Sequence, residues 1–168
     1  MQVDQFRKWW FENKRPFKPP FKNAVYFTDT THSLCIFRDK RYQVLLITVK
    51  PNVNVPKHSH PNVESCATYV TGYLQLGLEH DDFKKTEYWN TLQKENPTTG
   101  MHALFGTSTS AGYMGEPHSL QSKDGGGAFL VFEKWLNDVE MTTALIDWVG
   151  EPIDEGHRRL LDENKKVL

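Results

Sequence analysis

The sequence predicts a single-domain, mostly β fold, a sandwich or a barrel, with a short helix at each end. A chain of 168 residues suits one domain. Its central part consists of short segments rich in β-branched and aromatic residues, separated by turn residues. The segments at both ends lack this alternation of strand-like and turn residues. We therefore divide the chain into an N-terminal helix and arm (1–23), a barrel (24–136) and a C-terminal helical tail (137–168).

The N-terminal part contains a predicted helix followed by an irregular arm. Residues 3–13 carry Phe6, Trp9 and Trp10 at roughly helical spacing, which predicts a short helix. Several prolines prevent regular helix in residues 14–23. Two interpretations of this arm stay open. It is either an extended strap whose rings pack on the core while its lysines stay solvated, or a partner-docking segment of polyproline type.

Strand-like segments fill the central part of the chain. They are AVYFT (24–28), SLCIFR (33–38), YQVLLITVK (42–50), CATYVT (66–71), YLQLGLE (73–79) and AFLVFEKW (128–135). The triple glycine at 125–127 predicts a hairpin turn before the last of them. Residues 80–100 are predicted to be either an insertion between strands or a lid.

The C-terminal third has a different pattern. VEMTTALIDWV (139–149) is apolar enough to pack as a helix. The segment after it begins with Pro152 near a helix start and pairs Asp154 with Arg158 at i,i+4. This pattern predicts a solvated helical tail.

Charge and cysteine content exclude several classes of protein. The net charge of -1 gives no electrostatic reason to expect a nucleic acid or an anionic membrane as partner. The longest apolar run, VLLITV (44–49), is too short to span a bilayer, and residues 1–17 lack the apolar stretch of a signal peptide. Cys35 and Cys66 fit a reducing compartment, although one disulfide is also compatible with the sequence. We expect a soluble cytoplasmic protein.

The most informative stretch is KHSHPNVES (57–65), which holds three potential metal ligands. His58 and His60 project to the same side of a strand, which makes half of a site for a transition metal. Glu64 follows a Pro-Asn turn and can return on the next strand as a third ligand. In a random chain of this composition, the expected number of HxH pairs followed by a glutamate at this offset is about 0.02. The competing interpretation is two surface histidines with Glu64 as their salt-bridge partner.

Two stretches resemble the sequence motifs of one family. VPKHSHPNVE followed by YVTGYLQL resembles the first motif of the cupin superfamily, a HxHxxxE at a strand–turn–strand followed by a glycine, here Gly72. FGTSTSAGYMGEPHSLQS (105–122) resembles the second motif, with Gly106, Pro117 and His118. The resemblance covers roughly residues 40–135.

The cupin resemblance implies a double-stranded β-helix, also called a jelly-roll barrel, around a metal. The ligands that it implies are His58, His60, Glu64 and His118. Gly72 lies one residue farther from Glu64 than the family spacing. This shift predicts either a β-bulge or a Glu64 that is turned away from the metal.

Three imidazoles and one carboxylate suit Fe, Mn, Ni, Cu or Zn, and their spacing does not choose among these metals. The resemblance implies mainly dioxygenases, isomerases and lyases acting on small molecules, and we favour a dioxygenase. The alternative is a non-catalytic cupin that binds a small ligand or serves in structure and assembly. In either case we expect a homodimer formed through sheet edges or terminal arms.

The remaining histidines are expected away from this site. His102 is predicted to be a strand residue, and His32, His80 and His157 are predicted to lie on the surface. Cys66 lies two residues after Glu64 and, on a regular strand, could approach the cavity, but we favour its interpretation as a small core residue.

Arg38 and Arg41 flank a turn. They are either solvated or, if one points inward, a carboxylate anchor for a substrate. The chain contains no GxSxG or CxxC, so hydrolysis by an activated nucleophile is poorly supported.

Overall fold

The computed structural model of the protein describes residues 1–13, 24–78 and 117–165. The predictions made for the arm at 14–23, for residues 80–100, for His102 and for most of the second motif lie outside the described residues.

The described part of the chain contains a helix near each end and a sheet between them. Its elements are α1 (Val3–Asn13), β1 (Val25–Phe27), β2 (Thr31–Asp39), β3 (Tyr42–Val49), β4 (Asn54–Ser59), β5 (Val63–Leu78), β6 (His118–Trp135), β7 (Val149–Gly150) and α2 (Glu155–Glu163). All strand pairs are antiparallel. The sheet curls into a half-barrel, which confirms the prediction of a mostly β, barrel-like fold with short terminal helices.

Strand β6 is the centre of the sheet. The strands follow the order β1-β2-β3-β6-β4-β7, and β5 pairs with β6 as well. In the second half of β6, Val131 lies between Leu45 of β3 and Ala67 of β5. In the first half, Leu120 lies between Val55 of β4 and Leu76 of β5. One long strand therefore joins both parts of the half-barrel.

The triple glycine lies inside β6, so the predicted hairpin turn is wrong. Along β5 the register jumps from Gly72 opposite Gly127 to Leu74 opposite Ser122, and residues 123–126 bulge out of the ladder. Gly72 has φ of +90°, and a Cβ there would lie 2.1 Å from the Gly126 carbonyl oxygen. Only glycine suits this position.

A second bulge lies on β5 itself, where Tyr69 pairs with Phe129 and Thr71 with Ala128, so that Val70 is an extra residue. This bulge explains why Gly72 lies one residue farther from Glu64.

Two apolar clusters pack on opposite faces of the sheet. The inner cluster includes Leu45, Val55 and Leu120 and fills the concave side. The outer cluster is covered by α1, which forms over the predicted residues 3–13. Phe6 is 1% exposed and packs there against the ring of Phe132, so the helix is held by buried aromatic surface.

The segment 139–149 is not a helix, contrary to the prediction. It runs as irregular chain and turns and ends in β7. Thr143 is fully buried and its Oγ1 forms a 2.8 Å hydrogen bond with Oγ of Ser33, while the carbonyl of Thr142 accepts from Gln43. These bonds satisfy polar groups through the barrel interior, and β-branched threonines favour extended over helical backbone.

Helix α2 confirms the predicted helix after Pro152. Its N-cap is Asp154, whose side chain accepts a 2.7 Å hydrogen bond from the backbone N–H of His157. The prediction that His157 lies on the surface is wrong. Its side chain is fully buried, with Nε2 2.7 Å from the Leu145 carbonyl oxygen and Nδ1 accepting from the backbone of Ile153. His32 is exposed, as predicted.

Cys35 and Cys66 are free and buried, one in the inner and one in the outer cluster. The core interpretation of Cys66 is confirmed, and the residue also borders the cavity on the inner side. Among the described residues, neither helix has the length and apolar composition needed to cross a membrane.

Candidate metal centre

Three of the predicted ligands come together at one end of the half-barrel. His58 lies on β4, His60 follows the end of that strand, and His118 begins β6 directly opposite His58 in the β4–β6 ladder. Their ligand atoms all lie within 4.8 Å of one another. Strand pairing therefore joins the two motifs, which are about sixty residues apart in sequence.

The spacing of the three rings suits a single metal ion. The ring centroids are 4.9 Å apart for His58 and His60, 4.3 Å for His58 and His118, and 5.2 Å for His60 and His118. Imidazoles bound to one ion at about 2.0–2.1 Å, with about 90–109° between them, have centroids about 4.5–5.2 Å apart. The observed centroid distances lie in or close to that range. The ligand atoms, which lie within 4.8 Å of one another, would have to close to about 2.9–3.4 Å on binding one ion. With that adjustment the donor set fits a transition metal.

Hydrogen bonds orient two of the imidazoles. Nδ1 of His58 donates to the Pro56 carbonyl oxygen at 2.7 Å, and Nδ1 of His60 donates to the Asp147 carbonyl oxygen at 2.6 Å. Because a carbonyl only accepts, Nδ1 carries the proton and Nε2 keeps its lone pair. This is the arrangement by which proteins fix metal-binding imidazoles.

Burial keeps these imidazoles neutral. It lowers the pKa of His58 to about 2, with His118 and His60 as further causes, and it lowers the pKa of His60 to about 3, with His118 contributing. Both residues are less than 10% exposed. At neutral pH a metal ion would not have to displace a proton from either ring.

The C-terminal segment packs against the histidines, which sequence reasoning missed. The Trp148 ring stacks on His58, with centroids 3.7 Å apart and an interplanar angle of 11°. Asp147 accepts from His60 through its carbonyl and from Asn62 through its carboxylate. The sequence gives no signal for these contacts beyond the apolar pattern of 139–149, which predicts a helix instead.

Glu64 is buried but does not belong to the three-histidine group. Side chains alternate along β5, so Glu64 shares a face with Cys66 and Thr68. Both of these contact α1 on the outer side of the sheet: the thiol of Cys66 approaches the Val3 carbonyl, and Thr68 accepts from Arg7. Ligation by Glu64 stays a prediction, and the strand geometry does not favour it.

The histidines line a cavity of about 130 Å³. Most of its wall is apolar, with Ile47, Leu120 and Phe129 from the sheet and Trp148 from the C-terminal segment. Among the described residues, no Lys, Arg, Asp or Glu lines this cavity.

Neither arginine considered as a substrate anchor reaches the cavity. Arg38 donates to the side-chain oxygen of Gln43, and Arg41 donates to the backbone carbonyls of Trp135, Leu136 and Val139.

A buried acid lies on the inner face, outside the cavity wall. Glu133 is fully buried, and its Oε2 accepts from Gln43 at 2.5 Å and from the Trp135 indole at 2.8 Å. Its Oε1 has no hydrogen-bond partner. Burial raises the pKa of Glu133 to about 7, against the lowering effect of these two hydrogen bonds.

No protein-family model matches the chain, and no curated protein matches its sequence. Solved structures give distant likenesses. AerE from Microcystis aeruginosa has a TM-score of 0.42 at 10% identity, with 74% of this chain and 49% of that chain covered. The polyketide cyclase RemF from Streptomyces resistomycificus has a TM-score of 0.41 at 16% identity, with 71% and 80% covered. Recombinant oxalate oxidase in complex with glycolate has a TM-score of 0.36 at 14% identity, with 79% and 62% covered. This chain thus spans about half of AerE and less than two thirds of that oxidase, and likenesses of this kind assign neither family nor activity.

Proposed function

We propose that this protein is a cupin-like, metal-dependent enzyme acting on a small organic molecule, with a dioxygenase favoured over an isomerase or lyase. The observation that carries this proposal is the convergence of His58, His60 and His118, whose ligand atoms lie within 4.8 Å of one another beside a cavity. A metal ion would bind Nε2 of His58 and of His60, whose Nδ1 atoms donate to backbone carbonyls.

The three histidines would hold Fe, Mn, Ni, Cu or Zn as the divalent ion. Bound there, such an ion supplies Lewis acidity and, if it is redox-active, a place for dioxygen. The chain's own contribution is positional. The carbonyls of Pro56 and Asp147 hold Nε2 of His58 and His60 toward the site. The apolar wall keeps water away from a bound molecule and strengthens electrostatic interactions at the histidines.

The free, buried thiols of Cys35 and Cys66 support the proposal that the protein works in the reducing cytoplasm.

Elemental analysis of the purified, untagged protein tests the metal proposal. We expect near-stoichiometric transition metal in the wild type and loss of it in His58→Ala/His60→Ala. His32→Ala is the matched control, because His32 is exposed on β2 and outside the cluster. Wild-type protein that takes up no metal even after reconstitution, or a double variant with undiminished metal, would reject the proposal. Oxygen uptake by the iron-loaded protein with candidate substrates then separates the dioxygenase from the other reactions.

One observation favours a second function, a non-catalytic module that binds a small ligand or serves in assembly. The indole of Trp148 covers one face of His58 at 3.7 Å and so occupies space beside the histidines. If Trp148→Ala left metal content unchanged and no reaction were found with the metal-loaded protein, the module would be preferred.

A further inference from the structure

The C-terminal side of the cavity wall is held by one buried imidazole. Leu145, Trp148 and Ile153 line the cavity on this side. His157 of α2 is fully buried behind them and does not line the cavity itself. Its Nε2 lies 2.7 Å from the Leu145 carbonyl oxygen, and its Nδ1 accepts from the Ile153 N–H at 3.0 Å. Its ring packs perpendicular to the Trp148 indole, with centroids 4.5 Å apart. The imidazole thus contacts all three wall residues.

The two hydrogen bonds allow only one form of this ring. The Ile153 N–H can only donate, so Nδ1 of His157 carries no proton. The Leu145 carbonyl can only accept, so Nε2 carries one. This tautomer is the opposite of that of His58 and His60, whose Nδ1 atoms donate to carbonyls. Both nitrogens of His157 are therefore used to hold the wall.

The wall that His157 holds also orients two of the candidate metal ligands. The Trp148 indole stacks on the His58 ring, with centroids 3.7 Å apart. Asp147, the residue before it, accepts from Nδ1 of His60 through its carbonyl. Loss of a group that orients a metal-binding imidazole typically lowers metal affinity about 10- to 100-fold. A displaced wall would therefore disturb both imidazoles without any change to a ligand.

We propose that His157 is a positioning residue for this site. It fixes the wall formed by residues 145–153 and, through Asp147 and Trp148, the orientation of His60 and His58. The effect on the ligands rests on the proposed function, whereas the effect on the wall holds for the metal-free protein as well.

The ring nitrogens provide the first test. Long-range ¹H–¹⁵N spectra of the metal-free wild type at neutral pH distinguish the two tautomers of each histidine. We expect His157 to be protonated at Nε2, and His58 and His60 to be protonated at Nδ1. A proton on Nδ1 of His157 would overturn the inference, because the ring could not then accept from the Ile153 N–H.

His157→Phe is the test variant, because it keeps a ring beside Trp148 and removes both hydrogen bonds. Asp29→Ala is the matched control. The Asp29 carboxylate accepts from the Gly156 N–H at 2.9 Å, so it attaches α2 to the turn between β1 and β2, and it does not line the cavity. The control therefore weakens the attachment of α2 without touching the wall.

Two measurements on the folded proteins separate positioning from stability. In metal-free His157→Phe we expect the Asp147 amide, which donates to the Thr143 carbonyl, to exchange its hydrogen at least about tenfold faster, while the amides of β3 change less. In a chelator competition we expect the affinity of this variant for Zn²⁺ to fall at least about fivefold. Asp29→Ala should leave both quantities within about twofold of the wild type.

Equal changes in His157→Phe and Asp29→Ala would overturn the inference, because His157 would then serve only to attach α2. Zn²⁺ binding by the wild type that His157→Phe leaves unchanged would also overturn it, and the proposed function would stand. A wild type that binds no Zn²⁺ would reject the proposed function, and faster exchange in His157→Phe would still support the role in the wall. If His157→Phe does not fold, His157→Asn, which loses the bond to Leu145, is measured in the same way with the same expected directions.

Discussion

The buried carboxyl of Glu133 should make the stability of this protein fall as the pH rises from about 4.5 to about 7. Its side chain is fully buried, and its pKa is raised from 4.5 to about 7. The folded state therefore holds a proton that the unfolded state has already lost between these two pH values. Replacing Glu133 by glutamine keeps an oxygen that can accept from Gln43 and Trp135, but removes the ionisation.

The magnitude follows from the difference between the folded and unfolded pKa. Below pH 4.5 the carboxyl is protonated in both states, and its ionisation contributes nothing to the pH dependence of unfolding. Above that pH the unfolded state releases the proton first, so the free energy of unfolding decreases by about 1.4 kcal/mol per pH unit up to about pH 7. The total loss is about 3 kcal/mol. It stays constant at higher pH, because both states are then ionised.

Urea unfolding of metal-free wild type and Glu133→Gln at pH 5, 6, 7 and 8, followed by tryptophan fluorescence, measures this difference. Relative to its value at pH 5, we expect the difference in unfolding free energy between the two proteins to move by about 2.5 kcal/mol in favour of the variant by pH 8. The histidine contributions cancel, because both proteins contain them. Glu163→Gln, which changes an exposed carboxyl of α2, should give no such trend. Parallel pH profiles for wild type and Glu133→Gln would refute the reasoning.

The remaining predictions concern the metal site, the core and the assembly. Glu64→Gln should reduce metal content less than His58→Ala, because Glu64 shares a face of β5 with side chains that contact α1; equal losses by elemental analysis would make Glu64 a ligand. Asp147→Ala should weaken Zn²⁺ binding about tenfold or more in a chelator competition, since Asp147 anchors the loop after His60, whereas Asp124→Ala, which removes an exposed Asp–Asn hydrogen bond, should not. Phe6→Ala should lower the free energy of unfolding in urea by about 3–5 kcal/mol, because Phe6 is 1% exposed; a loss under 1 kcal/mol would mean that α1 is not docked. We propose a homodimer, and a monomeric mass by light scattering would contradict it.

The site residues that could be predicted from the sequence are those whose arrangement follows from spacing along one strand. His58 and His60 are separated by one residue on a strand, so period-two alternation alone brings them to one side. His118 could be added only through its resemblance to a second motif, since no local rule pairs β4 with β6. Helix α1 and helix α2 were predictable for the same reason, because helical spacing and an i,i+4 pair lie within a few residues of sequence.

The errors arose where distant contacts decide the local structure. The glycines at 125–127 have the composition of a hairpin turn, but β5 pairs with β6 on both sides of the bulge and keeps β6 in one piece, while β4 pairs before the bulge and β3 after it. The segment 139–149 is apolar enough for a helix, but it packs against the inner face of the half-barrel, where Ser33 and Gln43 satisfy its polar groups. Neither partner is close in sequence, so propensity alone favours the wrong structure.

Residues 139–149, whose structure was not predicted from the sequence, also connect the metal site to α2. His60 donates to Asp147, His58 stacks on Trp148, and Trp148 in turn contacts the buried ring of His157 on α2. An ion that binds the histidines in this arrangement favours the docked state of the C-terminal segment, because only that state supplies the carbonyl that orients His60. Docking of the segment and binding of the metal are therefore thermodynamically linked. Docking increases metal affinity, and metal binding stabilises the docked state by the same free energy. A change in the C-terminal segment that touches no ligand should therefore alter metal affinity, and metal should protect that segment from local unfolding.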